Sequence, residues 1–242
     1  MVKRGVQKMH IKAFLSNCCT IDEGPLDSYV DVMASSLINR KFRYTYSNVT
    51  LKLIIINVLV FFLMQLNQRM YGYVALVPGL VFHRYWFWQL FTYMFVHANF
   101  NHILFNMLGL FIFGTPVERQ LGSREFLLFY LLIGFLSGLF SFIVYVFSAT
   151  NVILMGASGA IYAVLFAFAV LYPHARIFVF GILPIRAPLL VGIYTLMEVF
   201  NQLTGSGGGV AHLTHLAGFG FAYLYFIIRL RIHPFDQFRR GF

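Results

Sequence analysis

Six apolar stretches punctuate the chain, at about residues 51–66, 100–117, 124–147, 158–172, 187–203 and 210–230. Most approach the ~20 residues that carry an α-helix across ~30 Å of hydrocarbon, so the pattern predicts an all-α polytopic membrane protein with six helices. The stretch between the first two runs, about 69–96, mixes polar residues with Tyr71, Tyr73, Phe82, Tyr85, Trp86, Phe87 and Trp88. That mixture suits an element half embedded at the membrane surface. The fourth run stops at Pro173, and fifteen residues at ~1.5 Å each reach only about 22 Å. Its Ser158 end is therefore expected below the membrane surface, where the chain leading into it must be covered by protein or border water. "TGSGGG", Thr204 to Gly209, reads as a mobile link between the fifth and sixth runs. The pattern divides the chain into an N-terminal tail (1–49), a six-helix domain (50–230) and a C-terminal tail (231–242).

Composition strengthens this reading. Of 242 residues, 60% are hydrophobic and 11% charged, with mean hydropathy +0.76 and 29 Phe, far from an average soluble domain. Sixteen of the 18 Lys and Arg fall before residue 53, after residue 228, or in the 2–3 and 4–5 connections, leaving Arg69 and Arg84 for the other side. By the positive-inside rule both termini are cytoplasmic. The net charge of +10 then reports topology and contact with anionic lipid, not nucleic acid. "MVKRGVQKMHIK" is followed by polar sequence rather than an apolar core, so no cleavable leader is expected and the first helix directs insertion. Cys18 and Cys19 fall in the cytoplasmic tail as free thiols, and the sequon at Asn48 falls on the side where it would not be used.

The polar residues inside the apolar runs are the candidates for chemistry. Ser158, in "VILMGASGAIYAVL", is either a small packing residue or a submerged hydroxyl at a helix N-terminus. There the first-turn N–H groups lack intrahelical partners and the macrodipole favours negative charge, so the Ser158 backbone offers part of an oxyanion hole. Gly159 permits close approach of a substrate carbonyl. Gly159, Ala163 and Ala167 form a small-residue stripe that matches Gly218 and Ala222 of the sixth run. Packing of the two stripes brings His215 to Ser158 as general base and then general acid. His212 lies off the stripe and further out, where it would be hydrated.

In the second run, His102 and Asn106 share a helix face at i, i+4. They serve either as oxyanion donors or as interhelical hydrogen bonds. All four Asp (22, 27, 31 and 236) lie in the tails, so a Ser-His dyad without an orienting carboxylate is expected. Tyr162, one turn below Ser158, could orient His215 by packing on it. Glu118 is expected to hold loop backbone and Glu198 to pair with a neighbouring helix, both structurally.

Together these residues resemble the rhomboid family of intramembrane serine proteases over roughly residues 50–230. The resemblance rests on Gly156-Ala157-Ser158-Gly159, on His102 with Asn106, on Glu118 followed by Gly122, and on "AHLTHLAGF" with His215. It implies a six-helix bundle with Ser158 as nucleophile and His215 as base. The Ser158 N–H, His102 and Asn106 hold the oxyanion, and Tyr162 packs on His215. It further implies single-span transmembrane substrates, no metal and no organic cofactor. A multi-pass protein of this kind would reside in a bacterial inner membrane. Where the family commonly has Trp-Arg in the first loop, this chain has Trp88-Gln89, so the loop's anchoring is expected to differ.

Two other readings compete. A metal-dependent protease or transporter would use His97, His102, His212 and His215, but the chain lacks HExxH and nearly lacks membrane carboxylates. A non-proteolytic relative that binds transmembrane clients has no need of Ser158 and His215 together.

Overall fold

The computed structural model describes residues 42–148, 152–179, 182–205 and 210–241. The expectations on Cys18, Cys19, Asp22, Asp27, Asp31 and on 206–209 lie outside the described residues.

Each of the six apolar runs forms a helix. These are α1 (Val49–Leu66), α2 (Phe100–Leu121), α3 (Ser123–Phe147), α4 (Ser158–Leu171), α5 (Ala187–Thr204) and α6 (Val210–Tyr225, continued by a π-turn over Phe226–Leu230). A helix satisfies all its interior backbone groups within itself, which is what an apolar surrounding demands. Local residues set the ends. The Asn99 side chain accepts from His102 N at the start of α2, Gly122 turns between α2 and α3 at φ 83°, and Gly205 stops α5 in the left-handed region. Among the described residues four helices are long and apolar enough to cross a membrane: α1, α2, α3 and the His212–Leu230 part of α6; α4 is apolar but has only 14 residues. The π-turns, at Leu110–Gly114 in α2 and Phe226–Leu230 in α6, have no counterpart in the sequence reading.

Helix α4 is the axis of the packing, with Ala160, Ala163, Val164, Ala167, Ala169 and Val170 all buried. The small-residue stripes meet as the sequence predicts. A Cβ on Gly218 would sit 2.2 Å from the Gly159 carbonyl oxygen, so the backbones of α4 and α6 touch, and Ala163, Ala167 and Ala222 are fully buried along the seam.

Three acids tie helices together at their ends. Glu118 accepts from the backbone N–H of Val49 (2.7 Å) and Thr50 (2.8 Å), with Ser123 as a third donor. The backbone it holds is the unpaired first turn of α1, where a carboxylate is favoured. Glu125 was not singled out from sequence; it is buried and takes Arg229 and Tyr225 of α6. Glu198 belongs to the site described below.

The segment between α1 and α2 is built of short helical turns at Tyr71–Val74, Pro78–Arg84 and Gln89–Thr92. Gln89 is fully buried. Its side chain accepts from Val77 N (3.0 Å) and donates to Gly72 O (2.8 Å). A neutral amide thus ties this loop's own backbone. Tyr73 stacks on Trp86 and Trp86 on Trp88. Leu76 pairs with Leu154 by two backbone bonds of 2.9 Å, and Gly156 N–H reaches Tyr93 O at 3.0 Å. This loop therefore holds the strand of chain that leads into Ser158.

The connection from α4 to α5, read only as a charged link, forms an antiparallel hairpin of β1 (Arg176–Val179) and β2 (Leu183–Arg186), with Arg176 opposite Arg186. Within residues 231–242, Pro234–Gly241 forms α7, whose Phe238 ring lies against Phe166 of α4 at 5.8 Å.

Candidate functional site

Ser158 opens α4 and His215 lies in the second turn of α6. Because the two backbones touch at Gly159 and Gly218, side chains one step further along meet: Ser158 Oγ is 2.7 Å from His215 Nε2. Both residues are partly exposed, so a molecule from outside can reach them.

The expectation that no carboxylate reaches this imidazole is overturned. Glu198 of α5 puts Oε1 2.9 Å from His215 Nδ1 and takes the Tyr162 hydroxyl on the same oxygen. All four Asp lie in the tails, and from sequence Glu198 reads only as a structural pairing. The carboxylate instead arrives from α5, which packs against both α4 and α6. An ionised carboxylate only accepts, so His215 carries its proton on Nδ1 and turns the Nε2 lone pair to the Ser158 hydroxyl. The tautomer suits a base.

Tyr162 stacks on His215 with ring centroids 4.1 Å apart and planes 9° from parallel, as expected from its place one turn below Ser158. Its hydroxyl also fixes Glu198, so it positions both partners. His212, expected to be hydrated and apart, sits with Nδ1 on Glu198 Oε2. The three-residue spacing from His215 places both rings toward α5, on either oxygen of one carboxylate.

Gly156 has φ 118°, and a Cβ there would lie 2.6 Å from His102 Nε2. Only glycine both accepts that conformation and lets the imidazole lie against the backbone just before Ser158. His102 of α2 is thereby brought beside the segment that ends at the nucleophile candidate. Asn106, one turn along α2, gives one amide N–H to His102 O (2.8 Å). His102, Asn106 and Tyr162 line one cavity of about 490 Å³, with Phe105, Ile161 and Tyr194 as apolar walls. Its walls come from α2 and α4, with Tyr194 from α5.

The set of four histidines does not assemble. His97 and His102 pack ring to ring at 5.1 Å, whereas His212 and His215 converge on Glu198. Among the described residues the one group of three or more potential metal ligands is Glu198, His212 and His215.

Residues 84–232 match the family model described as Rhomboid domain. Over 133 residues the chain is 34% identical to rhomboid protease GluP of Bacillus subtilis (strain 168), covering 52% of this chain and 24% of that protein. It is 36% identical over 92 residues to the putative rhomboid protease YdcA of the same organism, 37% of this chain and 45% of that protein. Over 89 residues it is 39% identical to the mitochondrial Rhomboid protein 1 of Saccharomyces cerevisiae, 36% of this chain and 25% of that protein. The chain thus spans less than half the length of each of these relatives.

Proposed function

The chain belongs to the rhomboid family, and from that membership and the site geometry we propose that it is an intramembrane serine endopeptidase. The observation that carries the proposal is the 2.7 Å contact from Ser158 Oγ to His215 Nε2, at a helix N-terminus beside a lined cavity.

In this reading the substrate is a single-span transmembrane protein whose helix end unwinds into the cavity lined by α2, α4 and Tyr194 of α5. His215 Nε2 takes the Ser158 proton as Oγ attacks the scissile carbonyl carbon. The oxygen that becomes negative meets the Ser158 backbone N–H, the His102 ring and the second N–H of the Asn106 amide. His215 then hands its proton to the leaving amine, the acyl-enzyme forms, and water repeats the sequence in reverse to free the acid. Glu198 extends the expected pair to three groups. It holds the Nδ1–H tautomer and balances the charge of the imidazolium at the moment it forms.

The same reading assigns all six helices to membrane spans, with α4 as a short central one, and both termini to the cytoplasm as the distribution of Lys and Arg requires. It places residues 50–230 as the catalytic domain between two cytoplasmic tails, in a bacterial inner membrane. The test is reconstitution in liposomes with a model transmembrane substrate. The wild type is expected to release a cleaved fragment and Ser158→Ala none; cleavage that survives in Ser158→Ala overturns the proposal.

A further inference from the structure

Resting on the proposed Ser158 and His215 chemistry, we infer that Glu198, His212 and His215 are also a binding site for zinc or a similar divalent cation, and that filling it switches the enzyme off. One ligand atom from each of the three lies within 4.8 Å of the others. On a tetrahedral zinc, at ~2.0–2.1 Å per nitrogen or oxygen, ligand atoms sit about 3.3–3.5 Å apart. The three atoms therefore already lie near the span that a bound ion sets.

The ligand chemistry is selective. Two imidazoles and one carboxylate suit zinc, copper or nickel, whereas magnesium and calcium want oxygen cages. Three protein ligands leave a fourth position for water. The carboxylate neutralises part of the ion's charge, and the His212 and Glu198 side chains keep 13% and 7% of their surface exposed, so an ion has a way in. The three residues also come from two helices already held in place: α4 fixes Glu198 through the Tyr162 hydroxyl, and α6 supplies both histidines.

Inhibition follows from which nitrogen the ion needs. Glu198 faces Nδ1 of both histidines, so an ion seated there takes the Nδ1 lone pairs. A neutral imidazole bound through Nδ1 carries its proton on Nε2. His215 then presents N–H rather than a lone pair to Ser158 Oγ and cannot take the hydroxyl proton. Nδ1 gives its proton to solvent as Nε2 takes one up, so the ring's proton count is unchanged. The ion also removes Glu198 from its role of balancing the imidazolium, because the carboxylate is spent on the metal.

Cobalt(II) serves as the spectroscopic probe and zinc as the inhibitor, on full-length protein freed of metal by a chelator. Ser158→Ala, which retains all three ligands, is expected to bind one equivalent of cobalt with the visible bands of a low-coordinate nitrogen and oxygen site. His212→Ala, or the bulkier His212→Gln should the first fail to fold, is expected to weaken that binding at least about tenfold. Zinc should suppress fluorophosphonate labelling of the wild type, and suppress labelling of the His212 variant far less relative to that variant's own metal-free level. Cobalt binding indifferent to His212, or wild-type labelling indifferent to zinc, overturns the inference while leaving the protease proposal standing. Absence of labelling in the metal-free wild type strikes at the protease proposal instead, and cobalt binding by Ser158→Ala still decides the site.

Discussion

Glu198 and His215 face each other from α5 and α6 with Oε1 2.9 Å from Nδ1, and the Tyr162 ring that stacks on His215 sends its hydroxyl to the same oxygen. The imidazole is therefore fixed in position, plane and tautomer by two side chains from two other helices. Glu198→Gln removes the charge and keeps the shape. It is expected to lower turnover by about two to four orders of magnitude with little change in apparent substrate affinity, measured on a fluorogenic transmembrane peptide in detergent. Unchanged turnover would reduce Glu198 to a helix clamp.

The two histidines of α6 share one carboxylate but only His215 touches Ser158. His215→Ala is expected to eliminate cleavage. His212→Ala loses the contact to Glu198 Oε2 and is expected to keep cleavage within about tenfold of wild type. The reverse ranking, with both variants folded, would reassign the base.

His102→Ala and Asn106→Ala should each reduce kcat more than they raise KM, because an oxyanion donor acts in the transition state and one donor is worth ~2.7–4 kcal/mol. Gly156→Ala should act in the same direction by driving its Cβ into the His102 ring. Unaltered kcat with a lowered melting temperature would make these residues interhelical glue.

Gly218→Ala tests the seam between α4 and α6. The added carbon meets a backbone oxygen at 2.2 Å, and backbone cannot rotate aside as a side chain can. A lower melting temperature and loss of cleavage are expected together. Full stability in that variant would show that α6 stands further from α4.

Much of this arrangement is legible in the chain because each of its parts leaves a local mark. Ser158, His215 and Tyr162 follow from helix periodicity combined with the Gly159, Ala163, Ala167, Gly218 and Ala222 stripes, which fix the facing sides of two helices. Glu198 as the carboxylate partner does not follow. Its helix has no comparable small-residue stripe to orient it, so nothing local tells which neighbour it faces. Glu125 escapes for a different reason: it stands at a helix start beside Arg124 and reads as an ordinary charged end, while its partner Arg229 lies a hundred residues away. The hairpin of β1 and β2 is hidden by its shortness, four residues a strand, and the π-turns leave no periodic signal over five residues.

Membrane orientation is open to chemical labelling. Cysteine introduced at Thr204 or Gly205 is expected to react with an impermeant thiol reagent applied to intact cells, and native Cys18 and Cys19 are expected not to. The opposite pattern would invert the protein and remove the basis for placing Ser158 near the outer surface.

The central claim is that Ser158 is a nucleophile activated by His215, and the most direct measurement is mass spectrometry of the purified protein after reaction with a fluorophosphonate. The account predicts one adduct per chain, mapped to the peptide containing Ser158, absent from Ser158→Ala and strongly reduced in His215→Ala. Adduct formation that persists in Ser158→Ala, or a folded wild type that forms none under metal-free conditions, would contradict it.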